Sequence, residues 1–223
     1  MCVVLAFLCG KNHNCREKCM NLNLEVSGCW STLTTVTFGN HVTSSGLDTQ
    51  VVTKFVKCAG EKELPEYVFT QRKDDEEVRF AIAFPEDGWY KFQIFALPEE
   101  DPAESLPNVY NYLIEVTGNF RPAVPFVKTY TKFYKDCCYL EEPLYIDPNN
   151  CDLDDVKFKV TVPGAIKVAV HAVDEWFHLE KKGSKWEGEA ALARFKTTGA
   201  KITLNANYEK DSSSYSVLLE YNI

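Results

Sequence analysis

Cys29, in the tripeptide Gly28-Cys29-Trp30, is the side chain of this 223-residue chain that most resembles a catalytic nucleophile. A cysteine nucleophile needs a histidine base and a carboxylate that orients the base, brought together in space. The segment behind Cys29, Ser31–Phe38, is rich in β-branched residues and predicts a strand rather than the helix that such a core requires. The histidines of the chain are few and widely scattered. They are His13, His41, His171 and His178. We therefore predict no catalytic residue in this chain.

A second group has residue types that suit a zinc ion. It consists of Cys9, His13, Cys15 and Cys19. Structural zinc sites usually take four ligands as two short pairs with C-x2-4-C spacing. The gaps here are irregular and form no two such pairs, so we predict free thiols and no metal site.

Oxygen ligands that suit Ca²⁺ are concentrated between residues 147 and 155. They are Asp147, Asn149, Asp152, Asp154 and Asp155. An EF-hand loop needs glycine at its sixth position, where this segment has Asp152. The pattern predicts a solvated turn, and Glu99-Glu100-Asp101 likewise predicts a charged loop tip. Since no glycine-rich phosphate loop is present either, we predict no metal and no cofactor.

Three tryptophans, Trp89, Trp176 and Trp186, could line a face that stacks on sugar rings. β-Sandwiches also bury such rings routinely, because indole contributes a large apolar surface to a core. His178 alternates with apolar neighbours on a predicted strand, and nothing marks it as a base. A sugar-binding protein therefore stays open as an alternative.

The charge balance excludes some partners. The formal net charge is −8 and the isoelectric point is near 5.1. Nucleic-acid binders and proteins held on anionic membranes need a basic face, so neither class is expected.

Cysteine usage and targeting signals predict the compartment. The nine cysteines are odd in number, and Cys137 and Cys138 are adjacent, which does not suit a regular set of disulfides. The apolar run Val3–Cys9 has no preceding basic residue and no following cleavage pattern, and a membrane span needs roughly 20 apolar residues. We therefore expect reduced thiols and a cytoplasmic protein.

A two-strand pattern in the middle of the chain recurs at its end. In the first strand Lys91, Ile94 and Ala96 recur as Lys201, Leu204 and Ala206; in the second, Tyr110, Leu113, Ile114 and Glu115 recur as Tyr215, Leu218, Leu219 and Glu220. The repeat predicts two homologous β domains, each closed by a hairpin. Period-two alternation elsewhere and short strands at regular spacing predict an all-β chain of antiparallel sandwiches.

The domain boundaries follow from composition. The segment Gly118–Pro125 contains two prolines within four residues, which resist helix and central-strand structure. The polar, Cys-rich start predicts a leader, disordered or truncated, over residues 1–30. The two domains are expected at 31–121 and 122–223.

Several motifs resemble the immunoglobulin-like domains that follow the transglutaminase-like core in the kyphoscoliosis peptidase and hillarin family. They are GWYKFQIFA and LPNVYNYLIEV in the first half, and VPGAIKVAV, EWFHLEKKGSKWEGE, KITLNANY and SYSVLLEY in the second. The sharpest part is the pattern Trp176, Leu179, Trp186 and Gly188, read as one hairpin, together with the terminal LLEY. The resemblance covers Leu33–Ile223.

The resemblance implies two tandem immunoglobulin-like sandwiches in a cytoplasmic, cytoskeleton-associated protein. It implies that these domains are non-catalytic, that a Cys-His-Asp core lies upstream, and that the partner is a protein such as a filamin-type cytoskeletal cross-linker. Two alternatives remain open: a fragment of an active transglutaminase-like peptidase, and a secreted sugar-binding sandwich.

The two domains should be separate folding units, because the repeated hairpin and the proline-rich junction divide the chain between them. Brief proteolysis, followed by mass spectrometry, should release fragments cut within Asn119–Pro125. Resistance to cutting there, or unfolding of both halves when either is isolated, would contradict two independent domains.

Overall fold

The computed structural model describes the backbone of residues 3–8, 20–27, 33–40, 49–72, 77–98, 105–118 and 122–223. Within these ranges it describes the side chains of 51–72, 78–97, 105–118, 122–196 and 199–223. The chain divides into two compact units, Met1–Ala123 and Val124–Ile223.

In unit 1 the described residues form nine strands. They are β1 (Val3–Leu8), β2 (Met20–Ser27), β3 (Leu33–Asn40), β4 (Thr49–Lys57), β5 (Lys62–Glu63), β6 (Val68–Arg72), β7 (Glu77–Ala83), β8 (Gly88–Pro98) and β9 (Asn108–Thr117). The strands pair antiparallel in two sheets, with orders β1-β9-β8-β4-β5 and β2-β3-β7-β6.

An aromatic cluster forms the core of unit 1. The ring of Phe55, on β4, stacks on that of Tyr90, on β8, at 5.2 Å, and Phe84 meets the Tyr90 ring edge-on at 5.1 Å. The Tyr90 hydroxyl donates a hydrogen bond of 2.7 Å to the backbone carbonyl of Glu86, in the turn before β8. A tyrosine that bonds back to this corner is a hallmark of immunoglobulin sandwiches. Burial raises the pKa of Tyr90 to about 12, so the hydroxyl remains a donor.

Besides a 3-10 helix at Ala193–Thr198, unit 2 contains nine further strands and one short α-helix. They are β10 (Lys128–Thr129), α1 (Thr131–Lys135), β11 (Tyr139–Glu142), β12 (Val156–Thr161), β13 (Lys167–Ala172), β14 (Glu175–His178), β15 (Glu180–Lys182), β16 (Lys185–Ala190), β17 (Lys201–Asn207) and β18 (Ser216–Asn222). The sheet orders are β10-β18-β17-β13-β14 and β11-β12-β16-β15, which repeat those of unit 1 strand for strand. The prediction of an all-β fold with two immunoglobulin-like sandwiches is confirmed.

The core of unit 2 replaces the tyrosine corner with another tethered tyrosine. Tyr221, on β18, is buried, and its hydroxyl donates a 2.9 Å hydrogen bond to the carbonyl of Pro143. Its ring meets Phe158, on β12, edge-on at 5.8 Å, so the bond ties the two sheets together.

The repeated pattern does form a hairpin in each unit, β8–β9 and β17–β18. Both hairpins have a register irregularity at corresponding places, after Ile94 and after Leu204. However, Ile94 pairs with Tyr110, whereas its counterpart Leu204 pairs with Leu219. The structural counterpart of Tyr110 is therefore Leu219, four residues beyond the predicted Tyr215. Because strand side chains alternate with period two, an even displacement keeps the same faces inward, and sequence similarity cannot detect it.

The expected leader over residues 1–30 needs correction at two segments. β1 pairs with β9, and β2 pairs with β3, so both belong to the sandwich sheets of unit 1. In β2, Met20, Leu22, Leu24 and Val26 alternate with polar residues, which is a strand signal that the Cys-rich neighbourhood obscured.

The predicted hairpin around Trp176 and Trp186 is right at its turn, where β15 pairs with β16, but wrong in its first arm, because the two tryptophans lie in different sheets. Trp176 is on β14 in the five-stranded sheet, whereas Trp186 is on β16 in the four-stranded sheet. The chain passes between the sheets at Leu179, which is 5% exposed. A Cβ at Gly188 would lie 2.8 Å from Leu179 Cδ2 and 3.4 Å from its Cα, so the missing side chain of Gly188 makes the space for Leu179.

Gly188→Ala should destabilise the chain by about 1–3 kcal/mol, since an added methyl group must displace a buried leucine at the crossing. Urea unfolding would measure the change. The same substitution in a Leu179→Ala background supplies the control, because the added methyl group then has space. An equal loss of stability in both backgrounds would show that the Leu179–Gly188 contact is not the cause.

Candidate functional site

The residues first considered for cysteine and zinc chemistry lie outside the described part of the chain. This holds for Cys9, His13, Cys15, Cys19 and Cys29. The charged tip Glu99-Glu100-Asp101 lies outside it as well. The absence of catalytic and metal sites there stays a prediction.

The Asp147 carboxylate is occupied by its own turn. The backbone N–H of Asn149 donates to Asp147 Oδ1 at 2.9 Å, and the side-chain amide of Asn150 donates to Oδ2 at 2.5 Å. The N–H of Asp154 likewise donates to Asp152 Oδ1 at 3.0 Å. The two bonds from backbone N–H groups are those of Asx turns. The described residues contain no group of three or more His, Cys, Asp or Glu side chains that could hold a metal ion.

The three tryptophans have different surroundings. Trp186 is buried at 5% exposure, whereas Trp89, in unit 1, is 40% exposed and Trp176, in unit 2, is 43% exposed. The burial of Trp186 is what packing in a β-sandwich core predicts. Trp89 and Trp176 are exposed, so core packing does not explain them.

The described cysteines, Cys58, Cys137, Cys138 and Cys151, are all free thiols. Burial raises the pKa of Cys138 to about 12, with smaller contributions from the neighbouring Asp136 and Cys137, so this thiol remains protonated and inert.

Trp176 belongs to an exposed aromatic cluster, which we define as His171, Trp176 and Tyr215. The Trp176 ring lies 4.3 Å from the His171 ring and 4.8 Å from the Tyr215 ring, measured between centroids. His171 and Trp176 are directly opposite each other on β13 and β14. The two neighbours restrict the indole while leaving it accessible, which favours recognition of a ligand with little loss of conformational entropy.

The hairpin that carries the aromatic cluster has a strained tip. Its two-residue turn is Val173-Asp174, and Val173 has φ +57° and is 59% exposed. Positive φ is unfavourable for a β-branched residue, and the β15–β16 turn has Gly183, with φ +65°, at the corresponding position. Such strain, held at an exposed apolar tip, points to a functional hairpin.

A row of residues runs from the aromatic cluster across the same face of the sheet. Strand register places Trp176, His171, Thr203, Glu220 and Lys128 side by side. The carboxylate of Glu220 has only 9% exposure, and it accepts a 2.7 Å hydrogen bond from the Tyr130 hydroxyl.

The surroundings of Glu220 fix its charge. The Tyr130 hydrogen bond, together with the ammonium groups of Lys128 at 3.5 Å and Lys201 at 3.6 Å, holds the pKa of Glu220 below its usual value, although partial burial opposes this. Glu220 therefore stays ionised at neutral pH and fixes the polar end of this face.

The corresponding row in unit 1 is polar at its described positions. It contains Lys54, Gln93 and Asn111 on neighbouring strands. Lys54 forms an ion pair with Glu63 at 2.5 Å, and the Gln93 amide donates to Asn111 Oδ1 at 2.7 Å. Among the described residues, the aromatic cluster is thus found in unit 2 and not in the corresponding row of unit 1.

The outer face of the four-stranded sheet in unit 2 carries an alternating charge network. Lys159 lies 3.3 Å from Glu141 and 3.4 Å from Glu187, while Lys185 lies 2.6 Å from Glu141 and Lys182 lies 3.4 Å from Glu187. Desolvation acts to raise the pKa of Glu141 and Glu187, but the lysines outweigh it and lower both pKa values. The network satisfies its own charges, so it is a poorer binding surface than the aromatic cluster.

Sequence inspection missed this site because it depends on non-local pairing. Trp176 and His178 were noticed singly, but the ring of Tyr215 reaches Trp176 from a loop 39 positions along the chain. The one local signal was the Val-Asp turn between two short strands, which places His171 opposite Trp176.

In the described part of the chain, none of the helices has the length and apolar character that crossing a membrane would require.

Comparisons with known proteins agree with this fold. Residues 17–127 match the family described as the KY-like, immunoglobulin-like domain, a range that includes β2. Kyphoscoliosis peptidase of Homo sapiens is 25% identical to this chain over 158 residues. The match covers 70% of this chain and 22% of the relative, so the chain corresponds to about a fifth of that protein.

Glu220→Gln should lower the free energy of unfolding at pH 7 by about 1–3 kcal/mol, because it removes a charged, hydrogen-bonded group from a buried position. The pKa of Glu220 is lower in the folded protein than in the unfolded chain. The ionised carboxylate therefore stabilises the fold fully above the unfolded carboxyl pKa, and this stabilisation is lost as the pH falls through the folded pKa. The difference from wild type should therefore shrink towards pH 3, as measured by urea unfolding across pH.

Glu187→Gln, in the exposed charge network, is the control and should cause a smaller change at pH 7. A Glu220→Gln difference that stays constant from pH 7 to pH 3 would contradict the assigned role of the carboxylate.

Proposed function

We propose, from the premise that residues 17–127 form a KY-like, immunoglobulin-like domain, that this chain is a non-catalytic protein-interaction module. The module would act as a scaffold in a cytoplasmic, cytoskeleton-associated protein related to the kyphoscoliosis peptidase and hillarin group. Its ligand would be a protein, such as a cytoskeletal cross-linker.

The aromatic cluster is the observation that carries this proposal. Trp176 is 43% exposed, yet its ring is held between His171 and Tyr215. Tryptophan and tyrosine are enriched among the residues that contribute most to binding at protein interfaces, because they bring large contact areas with few rotatable bonds. A restrained, accessible indole is therefore well suited to a protein partner.

Charge and cysteine chemistry support the remaining parts of the proposal. The four described thiols are free, which suits a reducing compartment such as the cytoplasm. The net charge of −8 favours a partner with a basic patch and an association that weakens as salt increases.

A second candidate comes from the relative that the chain matches. That protein is named a peptidase, and this chain corresponds to 22% of it. The chain would then be the non-catalytic part of a longer transglutaminase-like peptidase, in which it would present substrates or partners to a core elsewhere.

Trp176→Ala should abolish partner capture, because it removes the centre of the aromatic cluster. The full chain, immobilised, would be incubated with muscle lysate, and retained proteins identified by quantitative mass spectrometry. The matched control is Trp89→Ala, which removes a tryptophan of similar exposure from unit 1 and should leave capture unchanged.

Enrichment of cytoskeletal proteins by wild type and Trp89→Ala, at least tenfold over Trp176→Ala, is the expected result. Failure to retain any protein would refute the proposal. A glycan array that shows binding dependent on Trp176 would instead establish the sugar-binding alternative, since an exposed indole can also stack on sugar rings.

A further inference from the structure

We propose that the free edge of β14 binds an extended, basic segment of the partner protein as an additional antiparallel or parallel strand. This inference rests on the proposed function and specifies how the partner is held. Main-chain hydrogen bonds would supply the attachment, and the side chains beside the edge would select the segment.

Among the described edge strands of unit 2, β14 is the least protected against strand addition. β10, at the opposite edge of the same sheet, has only two residues, of which Lys128 is charged and exposed. β15, at the edge of the other sheet, consists of Glu180, Lys181 and Lys182, all exposed. β11 has a register irregularity and is followed directly by Pro143. Charged residues, bulges and prolines are the devices by which proteins block sheet edges.

β14 has no bulge and no proline, and its one acidic residue, Glu175, lies next to the turn and is paired with Arg194. Its sequence is Glu-Trp-Phe-His, with a regular register against β13 from Glu175 to His178. Aromatic residues at the centre of a strand favour pairing with a further strand.

The alternation of hydrogen-bonded and non-bonded pairs along the β13–β14 hairpin determines which backbone groups of β14 face its free edge. In a hairpin with a two-residue turn, the residues flanking the turn, here Ala172 and Glu175, exchange hydrogen bonds. The bonded positions then alternate, and the bond from the Leu179 N–H to the Val168 carbonyl, at 2.9 Å, fits this phase. The N–H and C=O groups of Trp176 and His178 consequently point away from β13, towards the free edge.

The side chains beside this edge favour an alternating segment. Phe177 lies on the inward side of β14 and is half-buried, so an added strand can extend the core with an apolar residue opposite it. Trp176, on the outward side, is 43% exposed and offers the accessible part of its ring to an arginine or lysine.

The charges beside β14 favour basic residues. Residues 174–180 include Asp174, Glu175 and Glu180 and contain no lysine or arginine. Arg194 forms an ion pair with Glu175, while Asp174 and Glu180 have no ion pair within the described residues.

The nearest lysines in sequence do not neutralise these carboxylates. Lys182 lies 3.4 Å from Glu187, and the ammonium group of Lys181 lies 5.6 Å from the centre of the Trp186 ring. A basic segment would therefore meet uncompensated negative charge just beyond the two ends of β14, at Asp174 and Glu180.

The space beyond the end of β14 can accommodate a continuing chain. His178 and Glu180 line an open groove of about 500 Å³ whose other charged walls belong largely to the charge network of Lys159, Lys182 and Glu187. A segment that leaves the edge at His178 would enter this groove without displacing a strand.

The test uses the full chain and a fluorescently labelled peptide with the sequence KVRVKVR as the probe. In KVRVKVR, apolar and basic residues alternate, as do the inward and outward sides of β14. The control peptide is KRKRVVV, which has the same composition and charge but no alternation. Fluorescence anisotropy should show binding of KVRVKVR at least tenfold tighter than binding of KRKRVVV.

His178→Pro removes the N–H that faces the free edge while keeping the aromatic cluster, and proline is tolerated at such edge positions. Binding of KVRVKVR should weaken about tenfold, as expected for the loss of one hydrogen bond and a steric block. Lys181→Pro is the matched control, since the N–H of Lys181 faces the free edge of β15 by the same phase rule. It should bind as wild type does.

Hydrogen exchange of the wild-type chain provides a readout that does not depend on folding of a variant. Addition of KVRVKVR should slow exchange of the Trp176 and His178 amides at least tenfold. Equal binding of both peptides, equal effects of both proline variants, or protection at β15 instead of β14 would each overturn the inference.

The outcome separates this inference from the proposed function. If Trp176→Ala abolishes partner capture while His178→Pro leaves it unchanged, the protein-interaction role holds and strand addition is wrong. If neither substitution changes capture, the proposed site itself is wrong.

Discussion

The contact between Leu179 and Gly188 is the constraint on which the surface of unit 2 depends. Leu179 is buried where Gly188 lacks a Cβ, so the chain leaves the five-stranded sheet at His178 and joins the four-stranded sheet at Glu180. This crossing makes β14 a short edge strand rather than one arm of a longer hairpin. The open edge and the adjoining groove are built on residues that flank this crossing, and Trp176 of the aromatic cluster lies on the strand that ends there.

Each unit contains a buried tyrosine whose hydroxyl donates to a backbone carbonyl, but the tyrosine lies on a different strand in each. In unit 1 the Tyr90 hydroxyl closes the corner before β8, whereas in unit 2 Tyr221 binds the carbonyl of Pro143. Each arrangement satisfies a buried hydroxyl and fixes a strand of the five-stranded sheet. The outer faces of these sheets differ more than the cores do, because a core must fill its volume while a surface is free to specialise. Only in unit 2, among the described residues, does this face carry an aromatic cluster.

Period-two alternation and turn residues were sufficient to predict the all-β fold and the two sandwiches. The closing hairpins could be found because their strands are adjacent in sequence. Their exact register could not, since a displacement of four residues between Tyr215 and Leu219 leaves the inward faces unchanged. The strands within residues 1–30 were hidden by a Cys-rich composition, and the crossing at Leu179 could not be seen because it depends on packing against Gly188, nine positions away. The candidate site escaped prediction for the same reason: the Tyr215 ring approaches Trp176 through tertiary structure alone.

The most direct test of this account is amide hydrogen exchange along β14 in the free protein, resolved by NMR. If the crossing leaves β14 as an open edge, the amides should alternate, with fast exchange at Trp176 and His178 and slow exchange at Phe177 and Leu179. The N–H of Leu179 is bonded to the Val168 carbonyl, which provides the internal reference for a protected amide. Slow exchange at all four positions would show that the edge is already covered, and would contradict the account.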